Sequence, residues 1–193
     1  MIYLGVDPGW AVGKGSRIAM IHDPEGCARL EWERLTSTQE QPLPRLRQQR
    51  RDLAALLTGK APVRIAIEEP RALAGAAQML CPLVWFLVDT CTQFPDPEPT
   101  HVLPHLLKAF VAGKGNADKD LMVQCAARLG CKLDLLTAEE NLTNDQADAL
   151  GLALFAWCMD QPDLPQWTQY QKDAVYRVLH PKPKRRGARK GGG

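Results

Sequence analysis

The 193-residue chain contains no apolar run near the roughly 18 uninterrupted residues that a membrane-spanning helix needs. Its opening stretch, Met1–Val6, is too short for a signal peptide and runs straight into Asp7, so a cytoplasmic protein with no membrane partner is expected. The six cysteines (Cys27, Cys81, Cys91, Cys125, Cys131 and Cys158) form no CxxC pair and no Cys/His zinc spacing; most sit among apolar neighbours and read as reduced core thiols. His101 and His105 are four apart, but Pro104 between them argues against a shared helix face and so against a metal pair. There is no internal repeat and no Walker loop, although the glycines of Gly113-Lys114-Gly115-Asn116 would let backbone amides approach a phosphate.

What is present is an ordinary globular composition, 45% hydrophobic and 24% charged, in a chain long enough for one substantial core. The near-neutral net charge of +2 hides an asymmetry. The stretch Pro181–Lys190 carries six basic residues and no acid, and 24 minus those six leaves 18 basic residues against 22 acidic in the rest. A basic tail rich in Pro and Gly fits an arm for nucleic acid or another polyanion, and equally a solvated tail without a specific partner.

The chain is organised around Leu142–Trp157, LTNDQADALGLALFAW. Thr143 followed three residues later by Gln146 is a capping box, which starts a helix. From Ala147 the helix is apolar on every side, the pattern of a buried helix rather than an amphipathic one. Asp145 and Asp148 stand three apart at its mouth, on one face. Two readings fit them: helix-start acids favoured by the dipole, or carboxylates held against an apolar core by a bound cation.

Two further acids share that setting. Ile2–Val6 reads as a strand stopped by Asp7-Pro8-Gly9, and Val63–Ile67 as an apolar strand ending in Glu68-Glu69-Pro70. Arg17–His22 and Ala28–Glu33, joined by a turn at Asp23-Pro24-Glu25-Gly26, complete an antiparallel meander with the first strand. Leu43–Leu57 is expected as a helix with Leu46, Leu53, Leu56 and Leu57 on its apolar stripe, and with Arg45, Arg47, Arg50 and Arg51 on a solvated basic face. Ala72–Cys91 is helical and rich in small and large apolar residues, with Pro82 kinking it or opening a second helix; it suits a subunit interface. A proline-rich loop over Phe94–Thr100, a short strand at His101–Leu103 and helices over Pro104–Ala112 and Ala117–Leu129 come next. Lys132–Leu136 reads as a short strand or extended segment, and Trp167–Leu179 as an amphipathic helix.

The expected fold is therefore α/β, a mixed sheet flanked by helices. If the strands ending in Asp7 and Glu68 are adjacent and the buried helix crosses the sheet, four carboxylates converge. They cannot all stay ionised without cations. Oxygen-only ligation suits Mg²⁺ or Mn²⁺. Two such ions about 4 Å apart activate a water and stabilise the leaving oxygen of a phosphodiester, which points to a phosphoryl-transfer nuclease.

LGVDPG, IAIEEP, LKAFVAGKGNADKDLM and NDQADALGLALFAW, in this order and spacing, resemble the motifs of the RuvC family of Holliday-junction resolvases. They span roughly residues 2–157. The resemblance implies an RNase H-like fold with a mixed five-stranded sheet, and a homodimer that nicks four-way DNA junctions symmetrically with Mg²⁺, Mn²⁺ substituting. It implies a location in the cytoplasm of a bacterium or a phage-infected host. By motif it makes Asp7, Glu68, Asp145 and Asp148 the metal-binding acids, with Glu68 rather than Glu69 as the strand-end ligand. Lys119 falls beside the scissile phosphate in the catalytic set, and Lys108 near the DNA. Lys114, Arg71 and the tail residues Lys184, Arg185 and Arg186 complete the expected DNA contacts. Residues 1–160 form the nuclease domain, 161–180 a C-terminal amphipathic segment and 181–193 a basic tail.

Two departures from the family pattern stand out. Arg71 occupies the position, three after the strand-end Glu, where the family often has an aromatic wedge, and WAVGKGSRIAMI replaces the usual Thr-Gly form after the first motif. Both leave open a broader branched-DNA debranching nuclease, of the kind found in bacteriophages. A non-catalytic junction-binding protein of the same fold is a further alternative, and clustered negative charge facing DNA argues against it.

Overall fold

A computed structural model of the protein describes residues 1–9, 15–23, 27–58, 60, 62, 64–70, 77–93 and 98–181, with only the backbone of 77–80. Three strands open the chain: β1 (Ile2–Asp7), β2 (Ser16–His22) and β3 (Arg29–Leu35). Helix α1 (Pro42–Thr58) leads to β4 (Arg64–Glu68), and α2 (Ala77–Thr92) to the short β5 (Thr100–Val102). Four helices follow: α3 (Pro104–Ala112), α4 (Lys119–Lys132), α5 (Asn144–Asp160) and α6 (Gln169–Leu179).

The five strands form one mixed sheet in the order β3-β2-β1-β4-β5. The meander β1–β2–β3 is antiparallel, whereas β4 pairs parallel with both β1 and β5. Strand alternation divides the core into two. Leu4, Val6, Ile18, Met20, Ile65 and Ile67 face α1 and α2, where Leu46, Leu53, Leu57, Leu83 and Leu87 cover them. Tyr3, Ala19, Ile21 and Ala66 face the other way, onto α5 with α3, α4 and α6 around it.

As its sequence requires, α5 is buried on all sides from Ala149 to Cys158. Its Thr143–Gln146 capping box forms with both reciprocal bonds, Gln146 N–H to Thr143 Oγ1 at 3.3 Å and Thr143 N–H to Gln146 Oε1 at 3.0 Å. The helix lies directly on β1 at Gly5, where an added Cβ would overlap Ala149 O and Ala153 N. At its far end the Tyr3 hydroxyl donates to Asp160 Oδ2 (3.1 Å) and accepts from Gln161 Nε2 (2.9 Å), fixing the helix along the strand.

Three expectations are corrected. Arg45 does not lie on a solvated face. It is buried, with Nε donating to Gln39 O (2.9 Å) and Nη2 to Glu40 O (2.8 Å), because the carbonyls of the preceding segment turn towards it. Lys132–Leu136 is neither strand nor extended. Lys132 ends α4, and the chain turns through Asp134 at φ 55°, with Leu135 N–H bonding Gly130 O at 2.9 Å. Pro82 does not open a second helix, since α2 continues through it; being near the N-terminal end, it removes one bond of the helical ladder. Arg71, the small residues Ala74, Gly75 and Ala76, and Lys184, Arg185 and Arg186 lie outside the described residues.

Candidate active site

Strand parity explains why the acids meet. Asp7 continues the Tyr3–Gly5 face of β1, and Glu68 continues the Ala66 face of β4, so both carboxylates lie on the side covered by α5. The last registered pair of the parallel ladder is Val6 with Ile67, and Asp7 and Glu68 come one step further on. Their side chains are hydrogen-bonded. Glu69, by contrast, is exposed, and its N–H is tied to Val102 O at 2.9 Å, which makes Glu68 the acid that enters the site.

The N-terminal end of α5 supplies the rest. Asp145, in the first turn, is exposed; Asp148, one turn further in, is half-buried. A cavity of about 260 Å³ is lined by Glu68 and Asp148 together with Lys108, Lys119 and Asn144. Asp7 and Asp145 stand beside it, close enough for their charges to act on each other. Lys108 Nζ donates to Ala117 O at 2.6 Å, so its ammonium also holds the segment that leads into α4. Lys119 is exposed at the start of that helix, after Asp118, whose carboxylate caps it by accepting from Leu121 N–H at 2.8 Å. Lys114 is exposed on the connecting loop, outside the cavity lining.

The electrostatics match the geometry. Burial, then the charges of Glu68, Asp148 and Asp145, push the Asp7 carboxyl well above the ordinary aspartate range. Burial and the Asp145 charge raise Asp148 to about 6, against the opposing pull of Lys108 and Lys119. Among the described residues, no three acidic, His or Cys side chains close into a metal-ligand set. The four carboxylates are neighbours in charge, with Asp7 and Glu68 sharing a bond that suits one proton between them. The donor set nevertheless fits a hard divalent cation. It is all oxygen, and in Asp7 and Asp148 it contains carboxyls whose ionised form is disfavoured in the absence of added positive charge.

This strain has a measurable consequence. Folded, Asp148 titrates near 6; unfolded, near 3.8. Between those values the native state binds the extra proton, so the stability contributed is full below pH 3.8 and is lost as pH rises through 6. Asp7 acts in the same direction. In chelator, the melting temperature is expected to fall between pH 5 and pH 7 by a few degrees, because roughly 1–1.5 kcal/mol of the total carried by a shift of this size is lost in that window, at about 2–4 °C per kcal/mol. Glu31, lowered chiefly by its bond to Lys60, contributes in full above its ordinary value of 4.5 and loses that contribution only as pH falls below it, so it leaves this window unaffected. Asp148→Asn should flatten the fall; a slope equal to that of the wild type would exclude Asp148 as its source.

Sequence reasoning passed over several residues of the site. Gly5 carries the helix contact, and a glycine inside a strand is itself a signal of close backbone approach. Arg17 is registered directly across from Asp7 and shares its face. Gln49 and Ser16 are both fully buried behind the turn that follows Asp7. Gln49 stands on the stripe of Leu46 and Leu53, where a polar residue at an apolar position is a legible anomaly.

The sheet order, the helix crossing it and the acids at the ends of its central strands define an RNase H-like fold of RuvC type. The comparisons with solved structures agree. Over 84% of this chain and 97% of the other, the fold matches a Thermus thermophilus RuvC structure, at a TM-score of 0.64 and 23% identity. It also matches Thermus thermophilus RuvC in complex with a Holliday junction substrate, over 80% of this chain and 91% of that one, at a TM-score of 0.63 and 23% identity. No protein-family model matches the sequence, and no curated protein matches it. No helix among the described residues is long and apolar enough to cross a membrane.

Proposed function

We propose that this protein is a Mg²⁺-dependent endonuclease that resolves four-way DNA junctions by paired, symmetric nicks and works as a homodimer. The observation that carries the proposal is the meeting of Asp7 and Glu68 with Asp145 and Asp148 beside two lysines, inside a RuvC-type fold. The related Thermus protein was solved with a Holliday junction, and the shared fold makes that substrate the first to test here.

In this reading Asp7, Glu68, Asp145 and Asp148 hold the cation or cations, Mg²⁺ by preference and Mn²⁺ as substitute. Such ions, when bound, activate a water and stabilise the leaving oxygen of the phosphodiester. Lys119, exposed at the cavity, meets the scissile phosphate, while Lys108 adds positive charge and steadies the loop beneath it. Lys114, Arg71, Lys184, Arg185 and Arg186 contact the DNA backbone and set a steep salt dependence. A two-fold junction calls for a two-fold protein, and Trp85, 72% exposed on the largely apolar α2, offers a surface for the second copy.

The test is cleavage of end-labelled four-way junctions, with forks, linear duplex and an RNA–DNA hybrid as controls, in Mg²⁺ and in chelator. Paired nicks confined to the junction and dependent on Mg²⁺ support the proposal. Equal cutting of forks and junctions would replace it with a debranching nuclease. Tight junction binding without cutting in Mg²⁺ or Mn²⁺ would leave a non-catalytic junction-binding protein.

A further inference from the structure

Behind the turn that follows Asp7, three groups close a ring of hydrogen bonds. Gly9 N–H donates to Ser16 Oγ (3.2 Å), the Ser16 hydroxyl donates to Gln49 Oε1 (2.6 Å), and Gln49 Nε2 donates back to Gly9 O (3.3 Å). Both side chains are fully buried, on β2 and α1 respectively, against the core face opposite the carboxylates. Buried polar groups are costly unless each finds a partner, and here the partners are one another and the backbone two residues beyond Asp7.

The same turn is held from a second side. A Cβ on Gly9 would overlap Gly15 O, and a Cβ on Gly15 would overlap Leu35 O, so three backbone segments are stacked in contact just past the acid. Asp7 is the last residue of β1, and its pair with Arg17 is the last of that ladder among the described residues, so ladder bonds do not hold the chain beyond it. The ring replaces them. It satisfies both backbone polar groups of Gly9 and ties the end of β1 to β2 and to α1, which spans the other face of the sheet.

We infer that Gln49 and Ser16 are positioning residues: their ring sets the direction of the Asp7 carboxylate and thereby the affinity of the acid cluster for its divalent cation. Neither touches the reacting atoms. A polar ring on an apolar helix stripe, where leucine would pack without any partner, is explained by what it holds rather than by core stability. The inference rests on the proposed metal-dependent reading of the site.

It is tested on the full-length protein through the rise in melting temperature on titrating Mn²⁺ in the absence of DNA, alongside the Mg²⁺ concentration for half-maximal junction cleavage. Gln49→Leu and the milder Ser16→Ala are each expected to raise the Mn²⁺ midpoint about tenfold, the consequence of a ligand misplaced by roughly 1 Å. Junction affinity in chelator should stay within twofold of the wild type. The double variant should shift the midpoint no further than Gln49→Leu alone, because both substitutions open one ring. Leu53→Ala, one turn along the same stripe, serves as the control: it lowers the melting temperature but leaves the Mn²⁺ midpoint in place. Ring variants whose midpoints match the wild type, or move only as far as that of Leu53→Ala, overturn the inference while the metal site stands. A wild type whose melting temperature ignores Mn²⁺ overturns the metal reading, and the inference with it.

Discussion

Asp7→Asn is expected to reduce metal-dependent junction cleavage by about 10³-fold or more and, in the same protein, to raise the melting temperature in chelator. The two effects have one cause. Asp7 is a deeply placed carboxylate, bonded to Glu68 and facing the charges of Asp148 and Asp145, so its ionised form is disfavoured without added positive charge. An asparagine amide keeps the hydrogen bond to Glu68 and removes the charge, which relieves the metal-free fold. On the proposed reading it also removes a metal ligand, which would supply several kcal/mol of transition-state stabilisation, and each step of about 1.36 kcal/mol is a factor of ten in rate. The measurement pairs cleavage rates in Mg²⁺ with thermal melts in chelator. A variant that loses activity and also loses stability would assign Asp7 a structural role; one that keeps its activity would remove it from the site. Junction binding in chelator should persist, and it rises if negative charge near the phosphates is the dominant repulsion.

Much of this candidate site is legible in the sequence. A capping box followed by an all-apolar run can hardly be anything but a buried helix, and α5 is one. Two apolar strands that each end in an acid, with a turn directly after, place those acids at a sheet edge whatever the strand order. The pairing itself is a different matter. That β1 lies between β2 and β4, parallel to the latter, depends on contacts across the chain which local periodicity does not encode. The misreadings share a physical origin. A charged Arg45 is expected in solvent, yet carbonyls of an irregular segment satisfy it, and no side-chain pattern encodes where such carbonyls point. Lys132–Leu136 alternates polar and apolar like a strand, but Leu135 and Leu136 are buried in the α5-side core through a turn. The ring of Gly9, Ser16 and Gln49 joins the segment after β1 to β2 and α1, and in the sequence it shows only as one polar residue on a leucine stripe.

The second large effect is expected at a residue without a side chain. Gly5→Ala should destabilise the protein by about 3 kcal/mol or more, lowering the melting temperature by roughly 10 °C, and cleavage should fall even at temperatures where the variant remains folded. The methyl would meet Ala149 O and Ala153 N, which are backbone atoms of α5 and cannot rotate aside. The helix must therefore lift from β1. Asp145 and Asp148 ride on that helix, whereas Asp7 and Glu68 stay with the sheet, so the lift divides the acid cluster along the line where it was assembled. Gly113→Ala separates this effect from a general cost of replacing glycine. Gly113 ends α3 at φ 72° with open space around it, so its loss is one of backbone strain alone, about 1–2 kcal/mol, with the acids undisturbed. Melts and cleavage rates of the two variants, measured side by side, decide the matter. If Gly5→Ala retains full activity once folded, α5 and β1 do not need this close approach to bring the carboxylates together; if it loses activity out of proportion to stability while Gly113→Ala does not, the distance between one strand and one helix is what holds the site.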